Sequence, residues 1–301
     1  MKKKLFAKCL KPRKLAKRKF DMPVDLYLSY TGRKNYLSCP QKYWFRYVKK
    51  QEVFDDPRKA MFGLVMGKVF EWFYNRKFWS FPDPEKQCLQ ASDLAIEDVC
   101  DMKKFDARMH GDFLNNLRKD VREFVPHAVK SIRDHKLLNL NSRSEVDLAV
   151  DHFSKQHDIT IRIGGRADFV HGPGSIWIVD GKGSVHREKF VDSDQLIWYA
   201  TQHYLKYHVA PSRLGFLHYR FPQDPMQWIM YDESSMRSVL TKTFDIAKKI
   251  LQGEFNATPS GECHRCEFRV SCQDGTKYLA SRRVANGGRI ESSSFDLEDV
   301  T

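Results

Sequence analysis

The sequence predicts an α/β fold, with a short mixed central sheet flanked by helices, a helical insertion at about residues 70–140 and a cysteine-rich cap. Three observations predict it. Residues 60–80 and 92–136 space their apolar side chains three and four apart, the period of an amphipathic helix. Near residue 145 the pattern changes to strand-like alternation, in EVDLAVDHF (145–153) and DITIRIGGRADFV (158–170). At the far end, Cys263, Cys266 and Cys272 crowd into one short stretch.

In chain order, residues 1–25 form a basic arm ending near Pro23 and expected to be mobile. Lys2–Lys19 holds ten basic residues and no acidic one. Such an arm binds nucleic acid, with Lys14 and Arg18 among its contacts, or serves as a solubilising tail. A mitochondrial presequence fits less well, because the arm is Lys-rich rather than rich in Arg and Ser. Residues 27–48 are dense in aromatics; Ser29 or Thr31 suits a helix cap, and Pro40 suits the first turn of a second helix. Tyr43, Trp44, Phe45 and Tyr47 are core residues by composition, one of which could stack on a base. Pro82 and Pro84 mark residues 81–91 as a loop. The two alternating stretches join at a turn around Gln156–Asp158, and a Gly-Pro-Gly turn, Gly172–Gly174, leads to a strand at Ile176–Val179. A helix over 192–208, capped by Asp192 or Ser193, precedes strands at Leu214–Phe221 and Trp228–Tyr231 and an amphipathic helix over 233–252. A cysteine knot at 261–272 follows, and the polar tail after about residue 276 is expected to be mobile. The organisation is one domain over 26–273, its core at about 145–232, between the arm and a tail from 274.

With 301 residues, 42% hydrophobic and 30% charged, the chain can bury a sizeable core. No apolar run approaches a membrane span, and no signal-peptide core follows the basic start. The net charge of +13 favours a polyanionic partner, since phosphate contacts release condensed counterions. Seven cysteines, an odd count without a secretion signal, argue against a disulfide framework and for metal ligation in a reducing compartment.

The chemistry concentrates in GGRADFV, IWIVDGKG and DQLIWY. Asp168 falls at the end of one strand, and Asp180 and Lys182 at the end of the next. Two neighbouring carboxylates form an oxygen-rich pocket suited to Mg²⁺ or Mn²⁺. Alternation puts Asp180 and Lys182 on one face, where an ammonium beside a metal-holding carboxylate can position and deprotonate a water. Gly181, Gly183 and the Gly164–Gly165 pair are expected to leave room for a nucleic-acid backbone. Gln195 and Tyr199 share a helical face from which both could reach a phosphate strand. An isolated Asp-x-Lys is common by chance; Gly165-x-x-Asp168 before it and the helix after it give it weight.

In order and spacing, GRAD, IVDGK and QLIWY resemble motifs II and III and the Gln-x-x-x-Tyr motif of the RecB-like branch of the PD-(D/E)XK nuclease superfamily. LSYTGRKNYLSCPQKYWFRY resembles the Ser-x-(Ser/Thr)…Cys-Pro-x-x-Tyr opening of the same proteins. The resemblance spans about 26–273 and is weakest at 80–145. It implies a restriction-endonuclease-like core, with Asp168 and Asp180 as metal ligands, Lys182 acting on the water, and Gln195 and Tyr199 positioning the strand. The family places a metal-binding His four residues after a helical Gly. Here Gly67 is followed by Glu71, read as a ligand in its place; His186 and His203 are alternatives that lack the preceding Gly.

Cys263-x₂-Cys266-x₅-Cys272 must hold a metal or a cluster, since unpaired neighbouring thiols are a liability. His264 would complete a zinc site but sits badly inside the Cys-x₂-Cys loop. The resemblance supplies a different fourth ligand, Cys39. In iron–sulfur nucleases of CRISPR adaptation and in the AddB nuclease domain, a lone N-terminal Cys joins such a trio around a [4Fe–4S] cluster. Structural Zn²⁺ on the same four thiolates remains the alternative. On this reading the ligation closes a loop from 39 to 263 that no local contact would hold. Arg265 and Arg269 are candidates to face phosphates, and Cys9, Cys88 and Cys100 are expected to be free thiols. The implied activity is DNA phosphodiester hydrolysis, by resemblance exonucleolytic on single-stranded DNA or a free end, in processing, repair or recombination. It would act in the cytoplasm of a prokaryote or a phage-infected cell. The alternative is a DNA-binding or structural subunit of a recombination or replication complex, with an idle nuclease site and a protein partner. No membrane partner is expected.

Overall fold

The structure is a computed structural model that describes residues 23–53, 56–106, 110–171, 175–188 and 192–285. The basic arm up to residue 22, with Lys14, Arg18 and Cys9, and the Gly172–Gly174 turn lie outside the described residues.

Strand β1 (Leu26–Ser29) leads into α1 (Tyr30–Ser38), whose first turn is capped by Ser29, its Oγ accepting from Gly32 N at 3.1 Å. Pro40 opens the short helix α2 (Pro40–Tyr43), which runs on as a π turn over Trp44–Val48. Helices α3 (Arg58–Asn75), α4 (Pro84–Lys103) and α5 (Gly111–Asp134) follow. The expected loop over 81–91 is therefore half helix. Pro84 begins α4, where its missing N–H costs nothing, and the Asp83 carboxylate caps Lys86 N at 3.0 Å. The predicted helix over 92–136 is two helices, the first ending where Lys104 turns left-handed at φ 52°.

Strands β2 (Arg143–Asp147), β3 (Val150–Ser154), β4 (Ile159–Gly164), β5 (Arg166–His171) and β6 (Trp177–Lys182) come next, then α6 (Ser193–Tyr207) and strands β7 (Arg213–His218) and β8 (Met226–Ile229). Helix α7 (Glu233–Leu251) and, past the cysteines, α8 (Gln273–Ala285) complete the described residues. The stretch beyond 276, expected to be a mobile tail, is thus helical through Ala285.

The strands form two mixed sheets, ordered β1-β4-β3 and β2-β5-β6-β7-β8. They share one long hairpin: Arg143↔Val170 through Ser154↔Ile159 keep a single register, interrupted only where Leu148 N donates to the Gly165 carbonyl at 3.0 Å. The hairpin bends at Gly164 and Gly165 because other side chains occupy the space there. A Cβ on Gly164 would sit 2.2 Å from the Tyr27 hydroxyl, and one on Gly165 would sit 2.4 Å from Gln202 Oε1.

Helices cover both faces of the five-stranded sheet. Met61, Val65, Val69, Phe70 and Phe73 of α3 pack with α4, α5 and the inner residues Phe169, Val179 and Leu217. On the opposite face Leu196, Trp198 and Ala200 of α6 and Val239 and Phe244 of α7 pack on Ile178, Leu214 and Phe216. Strand β6 is buried from both sides, which explains why IWIV reads as a continuous apolar run.

Candidate active site

Strands β5 and β6 run antiparallel with Phe169 opposite Val179. Asp168 therefore lies in the middle of its strand, across from Asp180, rather than at a strand end. Its Oδ2 accepts from Gly181 N at 2.8 Å. Alternation holds along β6 as expected. Lys182 Nζ reaches Asp180 Oδ2 at 2.7 Å, and Asp180 is 3% exposed. Helix α6 brings Gln195 over this pair. Its Nε2 donates to Asp180 Oδ1 at 3.0 Å and to the Tyr199 hydroxyl at 3.1 Å, while its Oε1 accepts from Lys182 Nζ at 3.0 Å. Tyr199 is buried beneath Gln195, so in this arrangement it holds Gln195 in place instead of presenting its hydroxyl at the surface.

Burial raises Asp168 well above the ordinary carboxylate range, and the Asp180 charge pushes it further. Asp180 is raised by burial and pulled back by Lys182. Tyr199 and Tyr219 are raised by burial first and then by both aspartates. Two facing carboxylates in a dry place, one of them paired with Lys182, offer hard oxygen donors, so the residues present fit Mg²⁺ or Mn²⁺ by donor chemistry. Among the described residues, no group of three or more His, Cys, Asp or Glu is gathered to hold a metal ion. The acids carry internal partners instead.

Glu71 projects from α3, paired with Lys68 at 3.0 Å, and its carbonyl accepts from Ser144 Oγ at 3.3 Å, which sets β2 against this helix. Nothing lies within 4 Å of a Cβ built on Gly67, one turn earlier, so packing inside the chain does not require glycine there. The glycines expected to admit a nucleic-acid backbone are taken up by the protein itself. A Cβ on Gly181 would lie 2.1 Å from the Tyr219 hydroxyl, and one on Gly183 would lie 2.8 Å from the Gly63 Cα. They serve close packing of the sheet on Tyr219 and α3, as Gly164 and Gly165 serve Tyr27 and Gln202. His203 is buried in α6 with Nδ1 bonded to the Val209 carbonyl at 2.7 Å, which gives it a structural place.

Sequence reasoning missed Glu145. It lies on β2 at the register position facing Asp168, half-buried, with Arg166 Nη1 3.4 Å from its Oε2. Burial raises its carboxyl; Arg166 opposes the shift and nearby Glu71 adds to it. Its only trace in the sequence was an acid opening an alternating strand, which matches no motif.

The four cysteines come from both ends of the chain into one region. Thr258 N donates to Cys39 Sγ, Ser260 N to Cys263 Sγ and Gly275 N to Cys272 Sγ, each at 3.4 Å. A Cβ on Gly275 would lie 3.4 Å from Cys272 Sγ and 3.5 Å from Cys263 Sγ, ordinary contact distances that place both thiols beside the start of α8. Burial pushes Cys266 up, with Glu267 and Cys263 adding to it. Four soft donors with amide N–H groups turned toward three of them fit a thiolate-bound centre by chemistry, although the thiols do not close into a cage. His264 bonds through Nδ1 to the Gly261 carbonyl of its own turn. The expectation that only ligation could join the two ends is corrected. Glu267 bridges Lys42 at 3.1 Å and Arg46 at 2.8 Å, and Phe45 stacks on Phe268 at 5.3 Å. Arg265 is exposed, and Arg269 donates to the His264 carbonyl at 3.1 Å. Cys88 and Cys100 are buried in the helical core, where burial pushes Cys88 up to about 12.

The mixed sheet covered on both faces carries two facing aspartates, a lysine two residues beyond one of them and a glutamine above. The PD-(D/E)XK nuclease superfamily profile matches residues 27–273, and the chain belongs to that superfamily. Among solved structures the chain is similar to the crystal structure of SSO0001. The two share 13% identity over 76% of this chain and 91% of that one, with a TM-score of 0.32. A search of curated proteins finds no match. No helix among the described residues is long and apolar enough to cross a membrane.

Proposed function

We propose that the protein is a Mg²⁺- or Mn²⁺-dependent deoxyribonuclease, an exonuclease on single-stranded DNA or a free end, acting in DNA processing, repair or recombination. The observation that carries this reading is the closed network of Asp180, Lys182 and Gln195 beside Asp168. Asp168 and Asp180 would hold the cation, which polarises the scissile phosphate and lowers the pKa of a bound water. Lys182 orients the attacking water, and Gln195 fixes both Lys182 and Asp180. The net charge of +13 supplies the field for a phosphate backbone. Lys14, Arg18, Arg265 and Arg269 are the proposed DNA contacts outside the site. The six described cysteines form no disulfide, which suits a reducing setting, the cytoplasm of a prokaryote or of a phage-infected cell.

The test is time-resolved cleavage of end-labelled single- and double-stranded DNA, and of RNA, with Mg²⁺ or Mn²⁺ beside Lys182→Ala. Loss of cleavage in the variant with retained DNA binding supports the reading. Wild-type rates in Lys182→Ala overturn it. A second reading rests on the pairing of Glu71 with Lys68 and of Asp180 with Lys182. In it the site is idle and the chain is a DNA-binding subunit with a protein partner, and the wild type cleaves nothing under either metal.

The proposal extends to a [4Fe–4S] cluster on Cys39, Cys263, Cys266 and Cys272, supported by the N–H···S contacts there. Protein purified without oxygen should be brown and carry about four iron atoms per chain. Zinc without iron would replace the cluster by a structural zinc site on the same thiols.

A further inference from the structure

Helix α3 starts beyond the carboxyl end of the strand that carries Lys182. Gly63 of α3 lies against Gly183, and further along the helix Tyr74 meets His171, the partner of Trp177 at the start of β6. The helix therefore runs against β6, and its residues from Arg58 to Phe62 overhang the strand end by about 7 Å, at about 1.5 Å per residue. Arg220 pins the overhang in place. Its Nε donates to the Gly183 carbonyl at 3.1 Å, its Nη2 meets Asp120 of α5 at 2.7 Å, and its guanidinium lies 3.8 Å from the Phe62 ring.

Beside this overhang, between the start of α3 and the end of α4, lies an open cleft of about 490 Å³. Arg58, Lys59, Lys103 and Lys104 line it, against Asp56 and Asp106. Asp56 is taken up by Arg58 through bonds of 2.6, 2.9 and 3.0 Å. Lys59, Lys103 and Lys104 are exposed, and among the described residues none of the three has an ion-pair partner. Phe105 and His110 stack at 4.6 Å and also line the cleft, a flat aromatic wall on which a base can lie. Past Lys104 the cleft opens into one of about 790 Å³ lined by Glu97, Asp101 and Arg118, so the cationic stretch ends there. Uncompensated ammonium groups beside an aromatic wall suit a polymer that alternates phosphates with bases. Cavities of about 300–1,000 Å³ hold one small molecule, so this cleft has room for a single strand and not for a duplex.

We propose that this cleft holds single-stranded DNA as the strand passes the carboxyl end of β6, with Lys59, Lys103 and Lys104 on its phosphates and the Phe105–His110 pair against a base. The inference rests on the nuclease reading and adds to it the path of the strand on the α3 side of the sheet.

The test uses the full-length chain and fluorescein-labelled oligo(dT), with binding read by anisotropy from about 50 to 200 mM salt and with divalent ions chelated so that nothing is cut. Changing Lys59→Gln, Lys103→Gln and Lys104→Gln together should flatten the slope of log affinity against log salt by about 2, roughly 0.7 for each lysine on a phosphate. Lys242→Gln, Lys248→Gln and Lys249→Gln remove the same charge from the exposed side of α7, on the opposite face of the sheet, and should change the slope by less than half as much. His110→Ala should weaken binding several-fold with the slope unchanged, because a stacked base releases no counterion. Equal slope changes in the two triple variants would leave only the general field of the protein and overturn the proposal, as would an unchanged slope in the cleft triple. A loss seen with oligo(U) and not with oligo(dT), or with polyglutamate and not with oligo(dT), would give the cleft to RNA or to an acidic protein segment and overturn it too. An idle nuclease site does not alter these outcomes, since nothing is cut; the cleavage assay with Lys182→Ala decides that reading separately.

Discussion

Gln195 is the hub of the proposed site, and removing it should cost far more activity than removing its support. Its side chain makes two hydrogen bonds to charged groups, to Asp180 at 3.0 Å and from Lys182 at 3.0 Å, and one to the neutral Tyr199 hydroxyl at 3.1 Å. Hydrogen bonds to charged groups contribute about 1.5–3 kcal/mol each and neutral ones about 1 kcal/mol. If the two charged bonds hold Lys182 and Asp180 in their reacting positions, Gln195→Ala forfeits about 3–6 kcal/mol of orientation. At about 1.4 kcal/mol per tenfold, that is roughly 10²–10⁴ in kcat. Tyr199→Phe removes only the neutral bond and should cost about fivefold. The assay is single-turnover cleavage of end-labelled DNA at saturating Mg²⁺, with DNA binding measured separately. Gln195→Ala should retain affinity, because that comes from distributed phosphate contacts. Activity within threefold of wild type in Gln195→Ala, or equal losses in the two variants, would refute the hub.

Because Asp168 and Asp180 are raised in the fold, they add stability when protonated, and metal-free protein should lose that stability as pH rises above the ordinary carboxylate range through their raised values. Asp168→Asn, which can still accept from Gly181 N, should raise the metal-free melting temperature at pH 8 and abolish stabilisation by Mn²⁺; a falling melting temperature would count against the buried like-charge pair. Gly67→Ala should stabilise the protein by about 0.5–1 kcal/mol in thermal unfolding, since a Cβ there meets nothing within 4 Å and α3 gains a better helix former. Cys88→Ala should lower stability by about 1 kcal/mol, because the side chain is fully buried in the core between the helices and the sheet, while leaving the metal content unchanged.

The sequence was most legible where one local rule decided the outcome. The alternation of 145–153 and 158–170 and the apolar run before Asp180 specified the hairpin and β6, because each side chain meets one face of a sheet. The Asp180–Lys182 and Gln195–Tyr199 pairs were legible because periods of two and of about four place them without knowledge of neighbours. Errors arose where distant contacts decided. Nothing around Gly181 or Gly183 shows that Tyr219 and Gly63 fill the space beside them. Pro84 reads as a breaker until Asp83 is seen to cap the helix it opens. Glu145 was invisible because its place depends on a left-handed residue opposite Asp168, and no residue-type pattern predicts that conformation for glutamate.

Helix α1 ties the cysteine region to the helix that carries Gln195. Lys34 Nζ meets Asp192 Oδ2 at 2.8 Å, and Arg33, 2% exposed, reaches Asp194 Oδ2 at 3.5 Å with its guanidinium 6.0 Å from the Trp198 ring. Both acids sit at the start of α6, where the helix dipole also favours negative charge, and Gln195 is the next residue. A buried guanidinium with one long contact to a half-exposed partner is a poor stabiliser. Its Nε has no partner, and desolvating it costs several kcal/mol before any pairing is counted. Its geometry, by contrast, constrains strongly, since the pair survives only while α1 and α6 keep one relative position. Cys39 follows at the end of α1, and Glu267, Phe268 and the cysteine trio fix that end from the other side. Losing the proposed thiolate centre would therefore act on the proposed nuclease site through the orientation of α6, even where the salt-bridge and aromatic clasp keeps the two ends of the chain together.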